Sequence, residues 1–279
     1  MTKVIAVVNQ KGGVGKTTTC ANLGAALAQK SFKVLLLDLD PLGNLSDWLY
    51  DKPSQNGSGT GDLLRGLVEF TDVTKKSEKL GVDFISAGGS LKDIVLMENI
   101  DPFILKERMQ DSIEKYDFVI IDCAPSSNVL IANAILASDS ILIPIQTENL
   151  PLRSGLKFIQ WLEDFKKEYA IDVNILGILP CMFDSRTRLS TQILDAMKKS
   201  EHLGPLVFDT VIRKNSRLAE APGMSRSIFR SASTSYGAND YNSLAAEVVQ
   251  RCGVALPSDI SIESIDEVEE NSSVGSVEL

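Results

Sequence analysis

The chain has 279 residues, 44% hydrophobic and 23% charged, which suffices for one large or two modest domains with a sizeable core. Its one histidine, His202, excludes a histidine-based metal centre or catalytic triad, and the lack of any apolar run of about 18 residues excludes a membrane-spanning helix. The net charge of −9 argues against nucleic acid only until its distribution is read: residues 259–279 hold seven acids and no base, whereas 186–230 hold nine bases and four acids.

The first predicted strand is "KVIAVVN" (3–9). It is too short for a signal-peptide core and leads into a phosphate loop, so no leader is expected and the protein reads as cytoplasmic. That loop, "QKGGVGKTTT" (10–19), opens a helix predicted over 16–30. It closes on Gly15-Lys16-Thr17 as the pattern G-x-x-x-x-G-K-[ST] requires, but Gln10 replaces the first glycine and Lys11 is an additional lysine. Gly12, Gly13 and Gly15 let the backbone wrap phosphate oxygens, because a Cβ would block the dihedrals and the close approach. The loop N–H groups and the helix N-terminus then face the anion. Lys16 is expected on the β- and γ-phosphates, and the Thr17 hydroxyl on Mg²⁺.

A second strand (33–38) runs into "LLLDLDPLGN" (35–44), where alternation places Asp38 and Asp40 on one side, at the carboxyl edge where open α/β sheets bind ligands. One aspartate can organise water on Mg²⁺ and the other can orient an attacking water. The Gly/Ser-rich "DKPSQNGSGTG" (51–61) reads as a surface loop. A strand at 82–86 and a helix at 101–115 follow, then the strand of "YDFVIIDCAPS" (116–126), predicted over 117–122. It ends on Asp122, an apolar strand closed by an acid, as a Walker B element is; Asp122 is expected in the Mg²⁺ shell. Strands at 140–145, 173–179 and 206–210 alternate with helices at 154–169 and 188–200. The central strands are continuously apolar, as parallel strands covered on both faces are. The βαβ rhythm therefore predicts an α/β fold, a doubly wound, mostly parallel sheet flanked by helices. The cysteines, Cys20, Cys123, Cys181 and Cys252, form no C-x-x-C and read as free thiols in a reducing compartment. Past Pro257 the chain turns acidic and Ser-rich, so residues 1–256 are expected to form the domain and 257–279 a disordered tail.

"KGGVGKTT" resembles the deviant Walker A motif of the ParA/MinD family of P-loop ATPases. The resemblance implies ATP and Mg²⁺ as cofactors and a nucleotide-binding set of Lys11, Gly12, Gly13, Val14, Gly15, Lys16, Thr17 and Thr18. It makes Lys11 the signature lysine, reaching across a nucleotide-dependent homodimer to the partner's phosphates, much as an arginine finger does in trans. Against the family pattern D-x-D-P-Q-G-N, Asp40 matches the catalytic aspartate and Asp38 its metal-side neighbour, with Leu42 in place of Gln. The catalytic set is then Lys11, Lys16 and Asp40, and the metal set Thr17, Asp38 and Asp122. Where the family has D-x-P-P this chain has Ala124-Pro125. In "PIQTENLPLRSG" (144–155), Glu148 aligns with an acid that contacts the partner's ribose.

"ILPCMFDSRTRLSTQIL" (178–194), "VIRKNSRLAEAPGMSRSIF" (211–229) and "SYGANDYNSLAAEV" (235–248) resemble the chromosome- and plasmid-partitioning branch, so the likeness spans about 3–252. It implies a nucleoid-associated ATP dimer on nonspecific double-stranded DNA, released when a ParB-like adaptor stimulates hydrolysis. The candidate DNA contacts are Arg188, Lys198, Lys199, Arg213, Lys214, Arg217, Arg226 and Arg230. No helix-turn-helix pattern is read ahead of the phosphate loop, so operator-specific reading by this chain is not expected. Three alternatives share the fold: a MinD-like membrane switch, positioning of a non-DNA cargo, and a metabolic or electron-transfer relative. The C-terminus "ISIESIDEVEENSSVGSVEL" is acidic and would be repelled by anionic lipid, so no membrane partner is expected. Cys123 stands alone, without the partner cysteine a bridging cluster needs.

Overall fold

A computed structural model of the chain describes residues 1–50, 57–97, 100–125, 128–147 and 151–257. In chain order run β1 (Lys3–Val7), α1 (Lys16–Gln29), β2 (Val34–Leu39), α2 (Asn44–Leu49), α3 (Thr60–Leu64), α4 (Phe70–Val73), β3 (Thr74–Ser77), β4 (Val82–Ile85), α5 (Leu91–Ile94) and α6 (Ile104–Met109). They continue as β5 (Phe118–Cys123), α7 (Asn128–Leu136), β6 (Ser140–Gln146), α8 (Pro151–Tyr169), β7 (Asn174–Phe183), α9 (Arg188–Lys199), β8 (Ile212–Arg213), α10 (Ser216–Glu220), α11 (Ile228–Ser231) and α12 (Tyr236–Arg251). The strands form one sheet in the order β3-β4-β2-β5-β1-β6-β7-β8, parallel except for the β3–β4 pair.

Both faces of the central strands are buried, which is why the sequence runs are apolar without a break. On β1, Val4 and Ala6 enter one core while Ile5 and Val7 enter the other. On β5, Val119 and Ile121 face the first core, and Phe118 and Ile120 the second. Each buried side chain of this kind stabilises the fold by roughly 1.5–3 kcal/mol, so these strands form a rigid floor. Because β5 lies between β1 and β2, the carboxyl ends of the three strands bring the 8–15 loop, the 38–43 segment and Asp122 to one edge.

The strand predicted at 206–210 does not form. Gly204–Leu206 wind into a 3₁₀ turn, and Val207 makes a single parallel bridge to Ile178. The Glu247 carboxylate then takes the N–H groups of Asp209 and Thr210, at 2.9 Å each, so no strand can use them. Pairing resumes only at β8. The edge strand β3 was not predicted, because "TKKS" has no apolar run and pairs antiparallel on one side only. The helix expected over 101–115 is confined to α6, since Ser112 and Tyr116 turn back onto Met109 and Ile113. The cysteines are free, three of them buried and Cys252 half-buried. Among the described residues no helix is long and apolar enough to cross a membrane. Residues 51–56 of the predicted surface loop and 258–279 of the predicted tail lie outside the described residues.

Candidate active site

The loop after β1 turns twice through the left-handed region, at Gly13 (φ 71°) and Gly15 (φ 98°), where a side chain would be strained. Val14, buried between them, fixes the loop to the body. Gly15 caps α1, and no side chain bonds to the helix's first N–H groups. A 14-residue helix with an uncapped N-terminus and no acid in its first turn presents positive potential to an anion. Lys16 is only 7% exposed, and its Nζ donates to the Lys11 carbonyl at 3.2 Å. Gly12, Lys16, Thr17 and Thr18 line a cleft of about 280 Å³ whose far wall is Asp40, Leu42 and Met182.

Two buried carboxylates stand beside the loop. Asp38 and Asp122 are register partners on β2 and β5, both fully buried. Asp38 is held on both oxygens: Oδ1 accepts from the Asp40 N–H at 3.0 Å, and Oδ2 from the Ser46 N–H and hydroxyl at 2.8 and 2.6 Å. The Ser46 hydroxyl in turn accepts from the Ala87 N–H at 2.8 Å. Asp40 keeps one oxygen on the Leu42 N–H at 2.9 Å and lines the cleft. Asp122 differs. Its Oδ1 accepts a weak bond from the Cys20 thiol at 3.6 Å, and Oδ2 has no partner within hydrogen-bonding distance, although the Thr17 hydroxyl stands close enough to stabilise the carboxylate's charge.

Burial raises the Asp122 carboxyl to about 8, helped by the neighbouring Asp38 charge and opposed by the Thr17 hydroxyl and Lys16. Burial also raises Asp38 to about 6, against the hydrogen bonds from Ser46 and Asp40. An open, buried carboxylate oxygen next to a hydroxyl is half of a hard-cation site. Among the described residues no three His, Cys, Asp or Glu are placed to hold a metal ion by themselves, so a divalent cation here would take its remaining ligands from water and a bound anion, as Mg²⁺ does with substrate phosphates.

These shifts have a sign. A carboxyl raised above its unfolded value binds its proton more tightly in the folded state, so it favours folding at low pH and loses that contribution as pH rises toward the folded value. The metal-free protein is therefore expected to lose stability between about pH 5 and pH 8, and added Mg²⁺ to stabilise it more as pH rises. Thermal melts in EDTA and in Mg²⁺ across that window check this; Mg²⁺ stabilisation independent of pH would contradict it.

Lys11 is exposed at the lip of the cleft, where its Nζ donates to Gln146 Oε1 at 3.1 Å. The Gln146 amide also donates to the Gly13 carbonyl at 2.7 Å, tying the end of β6 to the loop. Glu148, two residues on, lies outside the described residues. Sequence reasoning missed Gln146, Ser46 and Cys20; only the position of Gln146 at a strand's carboxyl end was a signal.

The candidate basic residues are spread over several elements. Arg188 opens α9, and Lys198 and Lys199 close it about 15 Å away at 1.5 Å per residue. Lys214 lies near the Asp184–Arg186 pair that precedes α9. Arg213 is committed elsewhere: its guanidinium bonds both oxygens of buried Asp240 and stacks 4.2 Å over the Tyr236 ring. Arg217 pairs with Glu220 at 3.0 Å, and Lys198 with Asp209 at 3.4 Å. Arg226 and Arg230 are exposed on the segment that packs against α1 and α2.

A protein family described as an AAA domain matches residues 2–175. The chain is 38% identical over 249 residues to the chromosome-partitioning ATPase Soj of Thermus thermophilus, covering 88% of this chain and 95% of that protein. It is 35% identical over 255 residues to the chromosome partitioning protein ParA of Caulobacter vibrioides, covering 89% and 94%. Among solved structures it is similar to a cobyrinic acid a,c-diamide synthase from Mycobacterium smegmatis with a bound ATP analog and magnesium, at 31% identity and a TM-score of 0.75, over 93% of this chain and 100% of that one.

Proposed function

Because the chain belongs to the Soj/ParA family of chromosome-partitioning ATPases, we propose that it couples ATP binding and hydrolysis to reversible dimerisation on nonspecific DNA. It is a partitioning ATPase that uses ATP and Mg²⁺. The observation that carries the site assignment is Asp122: a buried carboxylate with one open oxygen, beside Thr17 and an uncapped phosphate loop.

In this reading the N–H groups of residues 12–18 hold the phosphates and Lys16 neutralises them from within the cleft. The Asp122 carboxylate and the Thr17 hydroxyl would hold Mg²⁺. When bound, Mg²⁺ would neutralise charge building on the phosphate oxygens. Asp38, its oxygens already bonded by Ser46 and Asp40, keeps its charge beside that shell; like Asp122 it is fully buried and is not among the residues that line the cleft. Asp40, which does line it, orients the hydrolytic water. Lys11 crosses to the nucleotide of a second copy, and Glu148 approaches that nucleotide's ribose. DNA contact falls to the exposed Arg188, Lys198, Lys199, Lys214, Arg217, Arg226 and Arg230, while Arg213 supports them through Asp240 and Tyr236. A ParB-like adaptor stimulates hydrolysis and so releases the dimer.

The test is DNA retention with ATP and with ADP at two salt concentrations. If each subunit neutralises about three phosphates, log affinity of the ATP form falls with log salt at a slope near −5, and ADP leaves little retention. ATP binding without any DNA response would remove DNA from the proposal and point to a non-DNA cargo.

A further inference from the structure

The two helices that begin at the nucleotide site also grip the backbone of the segment carrying Arg226 and Arg230. On α2, two residues after Ser46, the buried Trp48 donates its indole Nε1–H to the Arg226 carbonyl at 2.9 Å. On α1, the buried Asn22 accepts the Ile228 N–H on its Oδ1 at 2.8 Å. Between Ala221 and Arg226 the chain closes on itself through a 3₁₀ turn and a left-handed Ser225 (φ 47°), a conformation disfavoured for serine. Trp48, Ala221 and Ile228 share one core cluster. The segment is therefore a tight, strained turn anchored at two points, one on each phosphate-side helix.

We infer that Trp48 is a positioning residue that transmits the state of the nucleotide site to the 222–231 segment. The route is short. Asp40 lines the cleft, and its backbone carbonyl accepts the N–H of Gly43, the residue that caps α2. Ser46 clamps the same helix to Asp38, beside Asp122. A shift of residues 40–43 toward the phosphates moves α2 as a unit, because a helix of six residues with Ser46 and Trp48 both buried has little internal freedom. Trp48 then draws on the Arg226 carbonyl while Asn22 holds Ile228 fixed on α1, and the exposed Arg226 turns relative to Arg230. Two buried groups gripping one strained turn make that turn the element whose two arrangements the coupling calls for, the second being the one that ATP would favour.

The consequence for DNA rests on the function proposed above; the motion itself does not. The chain's tryptophans are Trp48 and Trp161. In a Trp161→Phe protein, Trp48 emission is expected to change on addition of ATP with Mg²⁺. Hydrogen exchange of residues 222–231 is expected to respond to ATP in the wild type and to lose that response in Trp48→Phe, while ATP affinity stays within about threefold. With DNA, the ratio of ATP-form to ADP-form affinity, about 5–150-fold for ordinary coupling, should collapse toward one in Trp48→Phe. Unchanged Trp48 emission, or an exchange response equal in both proteins or absent from the wild type, overturns the inference. If the wild type shows no ATP-dependent DNA binding, the proposed function fails, and emission and exchange still decide the role of Trp48.

Discussion

Asp122→Asn is expected to make the metal-free protein more stable and nearly inactive at once. The substitution keeps shape and the acceptor that meets the Cys20 thiol, and replaces a carboxyl that burial and the Asp38 carboxylate together keep protonated. At pH 7 the wild-type group must hold a proton that its unfolded counterpart has released, a cost of about 4 kcal/mol for a carboxyl raised this far. Asparagine places an amide where Oδ2 found no partner, which costs about 1–3 kcal/mol. The balance is a gain of about 1–3 kcal/mol, or several degrees in Tm for a domain of this size. Hydrolysis should fall by at least about a hundredfold, because a neutral ligand both weakens Mg²⁺ and removes a fixed charge from its shell. A calorimetric melt in EDTA and a steady-state ATPase assay check both halves. A lower Tm would mean that the carboxylate is a structural acceptor rather than an open ligand. Stability and function conflict at such a position, because a site poised for a cation carries the strain of that cation's charge.

The residues legible in the sequence were those whose role follows from local pattern. A buried parallel strand is apolar throughout, so β1, β2, β5, β6 and β7 could be read directly, and a left-handed turn needs glycine, so the loop before α1 could be too. Asp38, Asp40 and Asp122 were legible as acids at or near strand ends. Their difference was not, because it depends on distant partners. Ser46, eight residues on, satisfies Asp38, and nothing comparable satisfies the second oxygen of Asp122. The same limitation explains the strand wrongly expected at 206–210. Its β-forming composition is real, but Glu247 from α12, 38 residues ahead of Asp209 in sequence, takes the N–H groups that a strand would have used. The Asp240 partner of Arg213, also on α12, was likewise out of view of any local pattern. Long-range hydrogen bonds decided each case, and composition carries no trace of them.

Lys11→Ala should abolish ATP-dependent DNA retention while leaving the fold and ATP binding nearly intact. The side chain is exposed and its contact with Gln146 is a surface hydrogen bond, so its loss should change stability by no more than about 0.5 kcal/mol. Lys16 bonds the Lys11 carbonyl, which alanine retains, so the loop should keep its conformation. If Lys11 reaches a second subunit's phosphates, two-fold symmetry removes two charge-assisted bonds together. At about 1.5–3 kcal/mol each, their loss weakens the dimer by about two to four orders of magnitude. DNA affinity follows, since a monomer presents half the basic surface. Equilibrium sedimentation with ATP, beside nucleotide titration and DNA retention, separates the possibilities. A monomeric variant with near-normal ATP affinity and DNA retention at the ADP level agrees with a lysine acting in trans. A variant that dimerises normally but binds ATP poorly would assign Lys11 to its own nucleotide. Gln146, which holds the lysine's Nζ and the Gly13 carbonyl at once, would then be the residue that places it there.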